Sequence, residues 1–150
     1  MKSLLLLAFC FVVSLVDAQD LQQRYKAASD KTAMEACANI ETYSFYPQTC
    51  NGVDFNEYVK KYFKPVVVAD DWIKLNCLIT FNCDGQTGNL KLEYDEDKMF
   101  LNNSPYTSAT IDLFEQLANF VDTLHCVPNN KARTYIHLMY QPEQKKLTIN

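Results

Sequence analysis

The chain has 150 residues, 48% hydrophobic and 21% charged, and a formal net charge of −4. That length suits one domain with a sizeable core. Mild acidity, with acids and bases interleaved, excludes the basic face of a nucleic-acid binder and a polybasic membrane patch.

The sequence opens MKSLLLLAFCFVVSLVDAQ: a basic residue, an apolar run from Leu4 to Val16, and Val16-Asp17-Ala18 with small residues where a signal peptidase cuts. Spanning a bilayer takes roughly 20 apolar residues, more than this run or any later one supplies. The expectation is a secretory signal peptide over residues 1–18 and a single secreted domain over residues 19–150, with no membrane span. Lys2 and Asp17 would leave together, so the net charge stays at −4.

Next, Leu21, Tyr25, Ala28, Ala33, Cys37 and Ile40 fall close to a helical stripe. Ser29-Asp30 is a potential break and Thr32-Ala33-Met34-Glu35 a capping box, so the segment reads as one long helix or two short ones. ETYSFYPQTCNG is aromatic without a period and ends in Asn51-Gly52, which reads as an ordered loop. Asp54 with Glu57 caps a helix whose stripe is Phe55, Tyr58, Val59, Tyr62 and Phe63, stopped by Lys64-Pro65.

From Trp72 the period becomes two. Ile73, Leu75, Cys77, Ile79, Phe81 and Cys83 face one way, and Lys74, Asn76, Leu78, Thr80 and Asn82 the other. A turn at residues 84–88 leads into Leu90, Leu92 and Tyr94, giving a hairpin, and Met99-Phe100-Leu101 offers a third strand. A long helix is expected from Ser108 or Thr110 to residues 125–128, with Asp112 and Glu115 in its first turn and a wide core face of Leu113, Phe114, Leu117, Phe120, Val121 and Leu124. The tail alternates Ile136, Leu138 and Tyr140 with Tyr135, His137 and Met139, turns at Pro142-Glu143-Gln144 and returns through Leu147 and Ile149.

The expected fold is therefore α+β: an antiparallel, curved sheet of four to five strands with N-terminal helices and one long helix on one face, in the order αα-ββ(β)-α-ββ. In order of elements alone this resembles cystatin-like rolls and nuclear-transport-factor-like cones. The resemblance implies a sheet wrapped on a helix and carries no function with it.

Catalytic motifs are missing from the sequence. There is no G-x-S-x-G, no His-Glu-x-x-His and no phosphate-cradling glycine loop among the three glycines. His125 suits a helix C-terminus and His137 the polar side of a strand. Asp70-Asp71 and Asp95-Glu96-Asp97 lack the ligand spacing of a calcium loop and read as solvated turn acids. No cofactor and no metal is expected. Asn102-Asn103-Ser104 is a glycosylation sequon at Asn102, and Tyr43, Phe45 and Tyr46 lie in a tyrosine-rich loop that either seals one end of the core or offers a surface for partner binding.

With Cys10 in the signal, five cysteines remain as disulfide candidates: Cys37, Cys50, Cys77, Cys83 and Cys126. An odd number leaves two bridges and one thiol, or an intermolecular bond. Cys77 and Cys83 share one side of a strand but lie about 20 Å apart at roughly 3.3 Å per residue, too far for a mutual bridge. The economical pattern joins one of them to Cys126 and uses Cys37 with Cys50 or with the other. These features favour a small secreted, disulfide-stabilised, non-catalytic binding module, its partner an extracellular protein or a small apolar ligand. The alternatives are a secreted hydrolase or thiol-dependent enzyme and a disulfide-linked homodimeric interaction protein, so the chain is either a monomer or a covalent homodimer.

Overall fold

The computed structural model describes residues 19–31, 49–81, 90–94, 107–124, 126–127 and 133–150, and at 81, 90–94, 126–127 and 133 the backbone alone. Helix α1 runs through residues 19–31 without interruption at Ser29-Asp30. The low helix propensity of Ser and Asp costs only tenths of a kcal/mol each, and packing of the helix decides the outcome. Ala28 is buried and Leu21 and Tyr25 half-buried, as the stripe requires. The capping box at Thr32 lies outside the described residues.

Asn51-Gly52 is not a plain loop. Strands β1 (Thr49–Cys50) and β2 (Val53–Asp54) pair antiparallel around it, with φ at 52° for Asn51 and 78° for Gly52. Two positive φ values are what the tight turn of a two-residue hairpin demands, and Asn-Gly is the dipeptide that tolerates them. A Cβ on Gly52 would meet nothing within 4 Å, so the backbone angle and not space calls for glycine.

Asp54 ends β2 and caps helix α2 (Phe55–Tyr62), its carboxylate accepting from the backbone N–H groups of Asn56 and Glu57 at 3.0 and 3.3 Å. Phe55, Val59 and Phe63 are buried. Tyr62, placed on the same apolar stripe by the spacing, is 47% exposed. Pro65 ends the helix, since the residue before proline is pushed to extended geometry.

Strand β3 (Ile73–Phe81) pairs with β4 (Leu90–Tyr94) on one side and β6 (Arg133–Gln141) on the other. Beyond β6, a 3-10 turn at Pro142–Gln144 and Lys145 at φ 47° return the chain as β7 (Lys146–Ile149). The order is β4-β3-β6-β7, antiparallel throughout. Register sets Ile73, Leu75 and Cys77 opposite Tyr140, Leu138 and Ile136, and all six are buried. The alternation in the sequence is thus the alternation of faces.

Helix α3 (Ser108–Asp122) packs on β3 and β4. Thr107 caps it, accepting from the N–H of Thr110 at 3.2 Å. The helix ends three residues sooner than the expected stop at 125–128, because Cys126–Val127 form a strand, β5, beside β1. No acid sits in its first turn, so Asp112 and Glu115 do not serve the helix dipole there. The chain is α+β, with two antiparallel sheets among the described residues, β2-β1-β5 and β4-β3-β6-β7, where the sequence pattern suggested one. A strand at Met99-Phe100-Leu101 lies outside the described residues.

Candidate functional site

Helix α3 organises the molecule, because it carries apolar side chains on more than one face. Toward α1, the Phe114 ring meets Tyr25 at 5.0 Å between centroids. Toward α2, Phe120 meets Phe63 at 5.3 Å and Tyr58 at 6.2 Å. Polar ties frame these contacts. Arg24 donates to Glu115 through both Nε (3.0 Å) and Nη2 (2.6 Å) and to Asp112 at 2.6 Å. Hydrogen bonding to Glu115 first, and to Asp112 next, raises the guanidinium pKa further, so it stays charged. Lys31 adds a bond to Asn119 at 2.7 Å.

Beneath α3 the sheet is closed. Leu75, Cys77, Ile79 and Leu117 have no exposed surface and belong to one contiguous buried cluster. A ligand-sized cavity would expose the side chains that line it, so these residues line none. Cys77, one of the bridge candidates, is here a free thiol among hydrocarbon. Burial pushes its pKa up, so it stays protonated and unreactive. Iodoacetamide is expected to leave Cys77 unmodified in the native protein at pH 8 and to label it once denaturant is added. Native labelling at the rate of a free thiol would show that this face is open.

The opposite face of the same sheet is decorated differently. His137, exposed, lies across from Asn76 in register, and its Nδ1 is 2.7 Å from Asn76 Oδ1. An amide oxygen only accepts, so Nδ1 carries the proton and Nε2 of the neutral ring is left as an acceptor. Tyr135 stacks on the imidazole at 6.2 Å and 10°. The backbone of His137 bonds both ways to Asn150, at 2.8 and 2.9 Å, which fixes the base of the ring. Leu78 stands opposite Tyr135, and Met139 opposite Lys74 on one side and Thr148 on the other. Leu78, Tyr135 and Met139 are half-buried, leaving apolar and aromatic surface interleaved with polar groups.

A second surface follows α2. From Phe63 to Asp70 burial alternates strictly, with Lys64, Val66, Val68 and Asp70 outward. Val66 and Val68 are 75% and 83% exposed. The Gln116 side chain of α3 holds this segment as a neighbouring strand would, its Oε1 accepting from the Val66 N–H and its Nε2 donating to the Val66 carbonyl, both at 2.8 Å. Further on, half-exposed Trp72 donates its indole N–H to Glu143 at 3.2 Å.

No family model, curated protein or solved structure matches the chain. Its surfaces therefore speak through their chemistry. Among the described residues no three His, Cys, Asp or Glu side chains are grouped to hold a metal ion, and no helix is long and apolar enough to cross a membrane.

The structure places the residues singled out from the sequence unevenly. Cys50 is fully buried and disulfide-bonded, and Cys126 is its Cα partner across β1 and β5. Cys37, Cys83, His125, Asn102, the Asp95-Glu96-Asp97 acids and the loop residues Tyr43, Phe45 and Tyr46 lie outside the described residues. Asp70 and Asp71 are exposed at a bend, as solvated turn acids. Sequence reasoning passed over the Val66–Val68 strip altogether. Its signal was a run of three valines fenced by Pro65 and two aspartates, too short to form a strand of its own.

Proposed function

We propose that this chain is a small secreted, disulfide-stabilised, non-catalytic binding module that meets an extracellular protein through the outer face of its four-stranded sheet. The observation that carries this reading is the fixed group of half-buried Asn76 and Tyr135 around exposed His137 on the outer sheet face. Tyrosine, methionine and arginine are enriched where proteins meet, and rings already held by a stack and by side-chain and backbone hydrogen bonds lose little freedom on binding. The zero exposure of Leu75, Cys77, Ile79 and Leu117 between α3 and the sheet favours a protein surface over a small apolar ligand as the partner. Export is supported by the apolar run from Leu4 to Val16 ahead of Ala18, and stapling by the cysteines that remain beside the buried Cys77 thiol.

The test uses the tagged chain as bait in extracellular fluid from its own source, beside a Tyr135→Ala/His137→Ala variant of unchanged circular dichroism. A protein retained by the wild type should bind the variant at least about 30-fold more weakly, the loss typical of central interface residues. Equal retention by both would overturn the assignment of the face.

A further inference from the structure

Exposed residues from Lys64 to Asp70 read Lys, Val, Val, Asp. That order is self-complementary when reversed. In an extended segment the N–H and C=O of one residue point to the same edge and those of the next to the opposite edge. The Val66 groups are taken by Gln116, which assigns that edge to α3. Pro65, Val67 and Ala69 therefore present their backbone groups at the other edge, where those of Val67 and Ala69 have no hydrogen-bond partner among the described residues. These residues are half-buried, with Val67 and Ala69 packed against the core. An extended edge with unpaired backbone groups is a template for another strand.

We propose that residues 64–70 pair antiparallel with the same segment of a second copy, making a non-covalent two-fold dimer centred on Val67. About the two-fold axis Val67 meets Val67, Val66 meets Val68, Pro65 meets Ala69 and Lys64 meets Asp70. Val67 exchanges two backbone hydrogen bonds with its mate. Each Ala69 N–H donates to a Pro65 carbonyl, and Pro65, which has no N–H, stops the ladder at about four bonds. Above the ladder each Val66 packs beside the Val68 of the other copy, a cross-strand apolar pair, while a Lys64–Asp70 ion pair closes each end. Lys64 Nζ, now 3.1 Å from the Lys60 carbonyl, is exposed and free to swing across. The isologous arrangement uses one patch twice, as closed dimers do. It also sets the exposed valines of the two copies side by side, so that each shields the facing flank of its neighbour. A partner strand from another protein would have to copy the charge order that this chain already carries.

Sedimentation equilibrium of the full chain tests the pairing, from about 10 µM to about 1 mM, the range a small interface implies. Wild type should show a monomer–dimer equilibrium. Lys64→Asp and Asp70→Lys, each setting two like-charge contacts at the interface, should each weaken it by about tenfold. The double swap restores the opposite-charge pairs and should return to within about twofold of wild type. Amide exchange supplies a second reading: the Val67 and Ala69 N–H groups should gain protection as concentration rises. Four outcomes would each overturn the proposal: a wild type monomeric throughout, single variants that dimerise like wild type, a double swap no better than the singles, or a dimer that survives denaturant until reduced.

Discussion

Replacing Phe114 by alanine is expected to destabilise the protein by about 3–5 kcal/mol, the range for truncating a buried aromatic. The side chain is 1% exposed and meets the Tyr25 ring at 5.0 Å, so it serves α3's own burial and the docking of α1 together. Against a total stability of about 5–15 kcal/mol, the loss should lower the melting temperature by on the order of 10 °C. The informative comparison is Arg24→Ala. Arg24 makes the most conspicuous polar tie between the same two helices, yet its side chain is 29% exposed and its partners Asp112 and Glu115 are 53% and 33% exposed. Solvent screens such a pair, and its loss should cost about 1 kcal/mol. Urea denaturation of the two variants, read as midpoint at constant slope, decides which contact holds α1 in place. A loss for Arg24→Ala as large as for Phe114→Ala would mean that the ion pair carries the helix.

The periodic elements were legible in the sequence because their periods are imposed by burial. The Phe55, Val59 and Phe63 stripe and the alternations Ile73–Ile79 and Ile136–Tyr140 all fall where the structure buries side chains. Asp54 could be recognised as a cap because a carboxylate three residues before a glutamate fits the geometry of orphan N–H groups. Short elements escaped for the complementary reason. β1, β2 and β5 are two residues long, and no period exists over two residues. Asn51-Gly52 named the turn, but the strands it joins became visible only through their pairing. The end of α3 was misplaced likewise, since His125, Cys126 and Val127 would continue a helix as readily as start a strand; pairing of β5 with β1 settles it.

The candidate surfaces were legible only in part. Which side of β6 is polar follows from alternation, so Tyr135, His137 and Met139 could be placed on it. That Asn76 meets the imidazole depends on the register between β3 and β6, which no local pattern encodes. The roles of Asp112 and Glu115 could not be read either. An acid near a helix start suggests the dipole, whereas their use here is a long-range contact with Arg24, a residue far upstream in sequence. Parity gave the relation between Cys77 and Cys83, but which cysteine stays a thiol depends on tertiary proximity, and the structure leaves Cys77 free and buried.

The same parity makes the second large effect a contrast between neighbours. Leu138→Asp is expected to prevent folding, whereas Met139→Asp, one residue on, should change stability by no more than about 1 kcal/mol. Leu138 is 1% exposed and stands between Leu75 on β3 and Ile149 on β7. Aspartate there forfeits about 2–5 kcal/mol of leucine packing and adds the cost of a carboxylate with no partner, several kcal/mol more. Together these meet or exceed the stability a domain of this size possesses. Met139 points to the other face, opposite Lys74, where a carboxylate stays hydrated and gains an opposite charge across the strands. Circular dichroism and amide NMR of the two variants separate the cases; a folded Leu138→Asp protein would mean that the sheet presents its faces the other way round. The contrast bears on function because stability constrains the two faces so unequally. The inner face is held by packing and admits little change, while the outer face, with Asn76, Tyr135 and His137, can vary at small cost to the fold, which is the freedom the proposed binding role requires.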